Sequence, residues 1–149
     1  MIKHFLLADD DPDDLDLFDE ALRGIDSSIE FNYASNGKEL IEKLQVDGLV
    51  PQVIFLDINM PEMNGWECLE SLKKVDQLKD IPVIMYSTSS SEVYGKRAIQ
   101  SGALAFYVKP HSFLLLQEFL KSIAGSSSDY LKTTLVELQL SKDHSVYTD

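Results

Sequence analysis

Five short apolar runs recur along the chain, and they restrict its fold more than any other feature. Four of them, Phe5–Ala8, Val53–Leu56, Val83–Tyr86 and Ala105–Val108, are strand-length and hydrophobic almost throughout, and the last three follow the breakers Pro51, Pro82 and Gly102. Such continuity marks strands covered on both faces, as parallel sheets are, whereas Ile29–Tyr33 alternates and reads as an edge strand. Between them lie stretches with helical spacing. The first carries Leu15, Phe18, Ala21 and Leu22, the second Leu40, Ile41 and Leu44, and the third Cys68, Leu69, Leu72 and Val75. A weaker fourth runs from Glu92 to Gln100, and a strong fifth from Phe113 to Ala124 behind Ser112 as N-cap. Strand and helix alternating in this way predict an α/β fold of right-handed βαβ units, an open parallel sheet with helices on both faces.

A chain of 149 residues is about one domain long. Its 44% hydrophobic and 26% charged residues sit in the ordinary globular range. No apolar run approaches the ~20 residues of a membrane span, and Met1-Ile2-Lys3-His4 leads into a strand-like run without the pattern of a signal peptide. The single cysteine, Cys68, makes no internal disulfide, and a cytoplasmic location fits these features. A net charge of −12 argues against direct binding to nucleic acid or to an anionic membrane. The same charge favours cations or a basic patch on a protein partner.

In open α/β sheets ligands sit beyond the carboxyl ends of the strands, so the residues directly after each run carry the most information about function. After the first come Asp9, Asp10 and Asp11, within an acidic stretch that continues through Pro12 to Asp13 and Asp14. After the third comes Asp57-Ile58-Asn59, after the fourth Ser87-Thr88-Ser89, and after the fifth Lys109-Pro110. Close carboxylates repel by a few kcal/mol per pair at an effective dielectric of about 20, so a folded chain needs a cation or water among them. Asp9, Asp10 and Asp57 form an oxygen-rich set that suits a hard cation such as Mg²⁺. If Asp57 is a nucleophile toward phosphorus, the charge on the phosphoryl oxygens must be matched by a metal, a hydroxyl donor and a cation. Ser87 or Thr88, and Lys109, supply the last two. Asp11 directly before Pro12 reads as a helix N-cap, and Asp13 and Asp14 suit the positive end of that helix. Gly65 reads as a turn residue, and Trp66 and Cys68 as packing.

These stretches together resemble the receiver domain of two-component response regulators, the family of the bacterial chemotaxis regulator, over roughly residues 1 to 124. Leu7-Ala8-Asp9-Asp10-Asp11-Pro12 resembles the acidic opening, and Val53 through Asp57, Pro61 and Gly65 the phosphoacceptor stretch. Val83-Ile84-Met85-Tyr86-Ser87-Thr88 resembles the hydroxyl strand, and Gly102 through Lys109-Pro110 the lysine strand. The resemblance implies a (βα)5 doubly wound, five-stranded parallel sheet of flavodoxin-like order 2-1-3-4-5. It implies that Asp57 accepts a phosphoryl group from a sensor histidine kinase or histidine phosphotransfer protein. Asp10 and Asp57 would contact Mg²⁺ directly (Mn²⁺ could substitute), Asp9 through water, and Asn59 through its backbone carbonyl. Ser87 would reach a phosphoryl oxygen, with Thr88 one place too late, and Lys109 another. Lys109-Pro110 would be a cis peptide. The chain has Phe106 where many receivers carry a Tyr or another aromatic. A switch in which Ser87 moves and the Phe106 ring buries would reshape the face of the fourth helix, fifth strand and fifth helix, for partner binding or a homodimer.

Beyond Ala124, about 25 residues are too few for an independent output domain. Gly125-Ser126-Ser127-Ser128 reads as a linker, and Leu131, Leu135 and Leu138 then recur at helical spacing, as an appended helix or a frayed tail. In the fifth helix Phe113, Leu116, Phe119, Leu120 and Ile123 share one face, leaving Leu114 and Leu115 for a dimer or partner contact, or for cover by the tail. The expected activity is signalling, without enzymatic turnover beyond self-catalysed phosphorylation and dephosphorylation. Two alternatives stand beside it. A pseudo-receiver would bind partners without phosphorylation, yet typically lacks one of the acids, the acceptor or the lysine. A phosphatase of the haloacid dehalogenase type would place its nucleophile after the first strand, before a glycine that this chain lacks.

Overall fold

The computed structural model describes all of residues 1–149. Strand and helix alternate as β1 (His4–Ala8), α1 (Pro12–Ile25), β2 (Glu30–Ala34), α2 (Gly37–Gln45), β3 (Val53–Leu56), α3 (Gly65–Lys74), β4 (Val83–Ser87), α4 (Glu92–Gln100), β5 (Ala105–Val108) and α5 (Phe113–Gly125). A short 3₁₀ turn (Ser128–Tyr130) then leads into α6 (Leu131–Ser141) and β6 (Val146–Thr148). The sheet order is β2-β1-β3-β4-β5-β6. Its first five strands are parallel, in the expected order 2-1-3-4-5, and β6 adds an antiparallel edge that the five-strand expectation does not contain.

Successive side chains of a strand point to opposite faces, and this parity divides the core in two. Phe5, Leu7, Val53, Phe55, Ile84, Tyr86, Ala105 and Tyr107 face α1, α5 and α6. Leu6, Ala8, Ile54, Leu56, Val83, Met85 and Phe106 face α2, α3 and α4. Continuous hydrophobicity in β1, β3, β4 and β5 thus reflects two buried faces. An aromatic seam fills the first layer: Phe18 meets Phe55 edge-on at 5.1 Å, and Tyr107 stacks on Phe119 at 3.6 Å between ring centroids.

Helix ends follow the sequence closely. Asp11 caps α1 by accepting from Asp13 N (2.9 Å), Asn64 and Glu67 form a reciprocal capping box on α3, and Ser112 accepts from Leu115 N at the start of α5.

Three expectations are corrected. Phe113, placed on the buried face of α5, is exposed: it is the first residue of that helix, beside exposed Leu114, and the buried face begins only at Leu116. The residues after Gly125 are not a free linker: Ser126 is buried, its hydroxyl accepts from Thr134 Oγ1 (3.0 Å), and Leu131 and Leu135 of α6 join the α1–α5 core. No peptide bond is cis, so Lys109–Pro110 is trans, the form favoured by about 0.5–1 kcal/mol at X–Pro bonds.

Candidate functional site

Parallel strands end together, and β1, β3, β4 and β5 deliver Asp9, Asp57, Ser87 and Lys109 to one rim of the sheet. Asp57 N donates to Ala8 O (2.9 Å), which locks the end of β3 to the end of β1. Lys109 N donates to Ser87 O (2.7 Å), which does the same for β5 and β4. One carboxylate oxygen from each of Asp9, Asp10 and Asp57 lies within 4.8 Å of the others, with Asp9 and Asp57 buried and Asp10 exposed.

Lys109 bridges this cluster. Its Nζ donates to Asp9 Oδ2 and to Asp14 Oδ2, each at 2.8 Å, and stands 3.6 Å from Asp57 Oδ2 and 5.2 Å from the Tyr86 ring. Burial opposes the lysine's charge, but the bonds to Asp14 and Asp9 outweigh it and raise its pKa. Burial also raises Asp9, against the Lys109 hydrogen bond. Asp57 is pushed up to about 7, first by burial and then by the adjacent Asp9, with Lys109 pulling the other way. Asp57 Oδ1 accepts from Ile58 N (2.9 Å) and Asp9 Oδ1 from Asp11 N (3.0 Å).

Ser87 is buried, and its Oγ accepts from Ser89 N (3.2 Å) while its own proton stays free to donate. Thr88 lines a cavity of about 600 Å³ beside Lys109, Asp14 and His111. Asn59 is exposed in the loop after Asp57. Phe106 is already buried, opposite Met85 on one side and Tyr147 on the other. Gly65 is required by close approach: a Cβ there would run into the Asp57 carbonyl oxygen, while Gly65 N donates to Ile58 O (2.8 Å).

The structure therefore gathers Asp9, Asp10, Asp57 and Lys109, with Ser87 on the adjoining strand end. It also adds Asp14, which the sequence marks only as a favourable charge on the helix dipole, as a second anchor for Lys109. Three oxygen donors in a partly desolvated pocket, two of them with raised pKa values, make a set that a hard divalent cation would fit and neutralise.

The family model described as the response regulator receiver domain matches residues 5–121. The chain belongs to this family. Among curated relatives of this receiver, the two-component response regulator ORR3 of Oryza sativa subsp. indica is 34% identical over 107 residues, covering 72% of this chain and 79% of the relative. Chemotaxis protein CheY1 of Helicobacter pylori is 32% identical over 94 residues, covering 63% and 75%. Among solved structures, the phosphorylated cyanobacterial phytochrome response regulator RcpA aligns with a TM-score of 0.75 at 27% identity, covering 83% of this receiver and 91% of that chain. The Mn²⁺-bound form of response regulator Rcp1 aligns with a TM-score of 0.72 at 26% identity, covering 81% and 91%. Receiver domains act as signalling modules and bind Mg²⁺ or Mn²⁺ at an acidic pocket, and the Asp9, Asp10 and Asp57 carboxylates form a cluster that could hold such an ion. No helix is long and apolar enough to cross a membrane.

Proposed function

We propose that this receiver accepts a phosphoryl group on Asp57 in a two-component phosphorelay. The donor would be a phosphohistidine of a cytoplasmic sensor kinase or phosphotransfer protein. The observation that carries the reading is the meeting of Asp57 with Asp9, Asp10 and Lys109 at one strand rim. In the transfer, a carboxylate oxygen of Asp57 forms the bond to phosphorus as the donor's P–N bond breaks, and the imidazole leaves with that electron pair and takes a proton from solvent. Lys109 stands ready for a phosphoryl oxygen by exchanging one of its two carboxylate partners. Ser87 keeps a hydroxyl proton to offer another.

Asp10, Asp57 and the Asn59 carbonyl would hold Mg²⁺, which supplies charge neutralisation on the phosphoryl oxygens. Asp9 has both oxygens engaged by Lys109 and Asp11 N, which favours contact through a metal-bound water. Two solved relatives support this assignment, RcpA in a phosphorylated form and Rcp1 in a Mn²⁺-bound form. A pseudo-receiver would leave the acceptor, acid or lysine without this convergence.

Incubation with Mg²⁺ and a small phosphodonor such as acetyl phosphate, read by intact mass, should add one phosphoryl group to the wild type and none to Asp57→Asn. The same gain in the Asp57→Asn protein would remove Asp57 from the role. Chelation of Mg²⁺ should abolish uptake.

A further inference from the structure

The family match stops at residue 121, and the segment beyond it is bound to the domain at both ends. Leu131 and Leu135 are buried against the α5 layer. Farther on, Val108 N donates to Ser145 O (2.9 Å), Thr148 Oγ1 donates to Leu104 O (2.7 Å), and β6 pairs with β5 so that Tyr147 stands opposite Phe106. β5 would otherwise present the open edge of the sheet, with unpaired backbone groups.

Tyr147 has a made seat. Gly95 lies in the interior of α4, where glycine is disfavoured relative to alanine, and a Cβ there would stand 2.6 Å from the Tyr147 ring. The seat is incompletely closed. A cavity of about 230 Å³ lies between Ser90, Ser91 and Glu92 on one side and Phe106, Val146 and Tyr147 on the other. The 600 Å³ cavity beside Lys109 has Tyr107, His144 and Ser145 as its far wall, and there the Tyr107 hydroxyl and His144 Nδ1 are buried without hydrogen-bond partners. A buried polar group without a partner is destabilising, and His144 brings one into the contact between tail and domain, so the tail is held less firmly than a fully satisfied strand.

We propose that residues 126–149 are a latch over the α4–β5–α5 surface, with Tyr147 as its bolt, and that a phosphoryl group on Asp57 opens it. The proposal rests on Asp57 being the acceptor. Each hold of the latch is close in the chain to a group that the phosphoryl would recruit. Lys109, drawn from Asp9 and Asp14, directly follows Val108, which holds Ser145. Ser87, turned toward the phosphoryl, carries the Thr88–Ser91 loop with it, and that loop walls the smaller cavity and leads into the α4 seat of Tyr147. The phosphoryl thus acts differently on the closed and open forms, as a population shift requires. Opening uncovers the β5 edge, Phe106 and the Gly95 groove. The tail itself shows what fits there: a short extended segment with an aromatic residue between two β-branched ones, as in Val146-Tyr147-Thr148.

Hydrogen–deuterium exchange on the full chain with Mg²⁺, with and without acetyl phosphate, tests the latch while intact mass follows loading. Amide exchange over 144–149 should accelerate about tenfold on loading of the wild type, within the roughly 5–150-fold range of coupled sites, and not change in Asp57→Asn. Tyr147→Ala, and independently Gly95→Ala, should exchange fast in both conditions. Because coupling is reciprocal in binding free energy, both should bind beryllofluoride, a phosphoryl mimic, several-fold more tightly than wild type in the presence of Mg²⁺. Full loading with unchanged exchange, or wild-type affinity for beryllofluoride in both variants, overturns the latch alone. Absence of loading in the wild type overturns the acceptor reading and the latch with it.

Discussion

Burial and the neighbouring Asp9 hold the Asp57 carboxyl at about 7, against an ordinary 3.8, and the sign of that shift fixes how the fold answers pH. Below 3.8 both the folded and the unfolded chain carry the proton, and Asp57 makes no difference to stability. Between 3.8 and about 7 the unfolded chain releases its proton while the folded chain keeps it, so stability falls as pH rises. Above about 7 the whole penalty is present. At about 1.4 kcal/mol per unit it reaches roughly 4 kcal/mol, with the opposing pull of Lys109 already contained in the shift. Asp57→Asn should therefore melt higher than wild type at pH 8 in metal-free buffer, with the gap shrinking toward zero near pH 4. A gap independent of pH in thermal melts would mean that Asp57 is not a desolvated, charge-crowded carboxylate.

At the scale of elements, α6 offers the clearest test, since its sequence allows both an appended helix and a frayed tail. Leu135 is fully buried against the α5 layer, so Leu135→Ala should cost about 2–5 kcal/mol in denaturant unfolding. A tail that only rests on the surface would lose less than about 0.5 kcal/mol. The contrast shows which features a sequence carries locally. β1, β3, β4 and β5 are legible because runs buried on two faces are apolar at every position, and α1, α3 and α5 because their caps and apolar faces lie within a few residues of one another. The rim is legible for the same reason, as each of Asp9, Asp57, Ser87 and Lys109 directly follows or ends its strand. β6 is not: three residues of strand carry no period, and their identity comes from pairing with β5, some forty residues earlier. Asp14 is half legible, its helix position being plain while its bond to Lys109 spans 95 residues of chain. Phe106 reads from sequence as a ring with room to move inward, yet the partner that covers it, Tyr147, lies in a stretch without a local signal.

For the molecule as a whole, a charge of −12 and a local crowd of three carboxylates are two electrostatic burdens with different remedies. The distributed surface charge is relieved by any salt, because at about 0.15 M the Debye length falls to about 8 Å. The carboxylates of the site lie within 4.8 Å of one another in a partly desolvated pocket, inside that length, so monovalent ions screen them poorly. A divalent cation bound among them relieves what salt cannot, and at ten times its Kd it should stabilise the fold by about 1.4 kcal/mol. Because metal and proton compete for Asp57, that gain should be larger at pH 8 than at pH 6, the two sides of its raised pKa. NaCl should thus raise the melting temperature similarly in wild type, Asp10→Ala and Asp57→Asn, whereas millimolar Mg²⁺ over a fixed NaCl background should raise it in wild type alone. An equal response to Mg²⁺ in all three proteins would assign the effect to surface screening and take the cation out of the pocket.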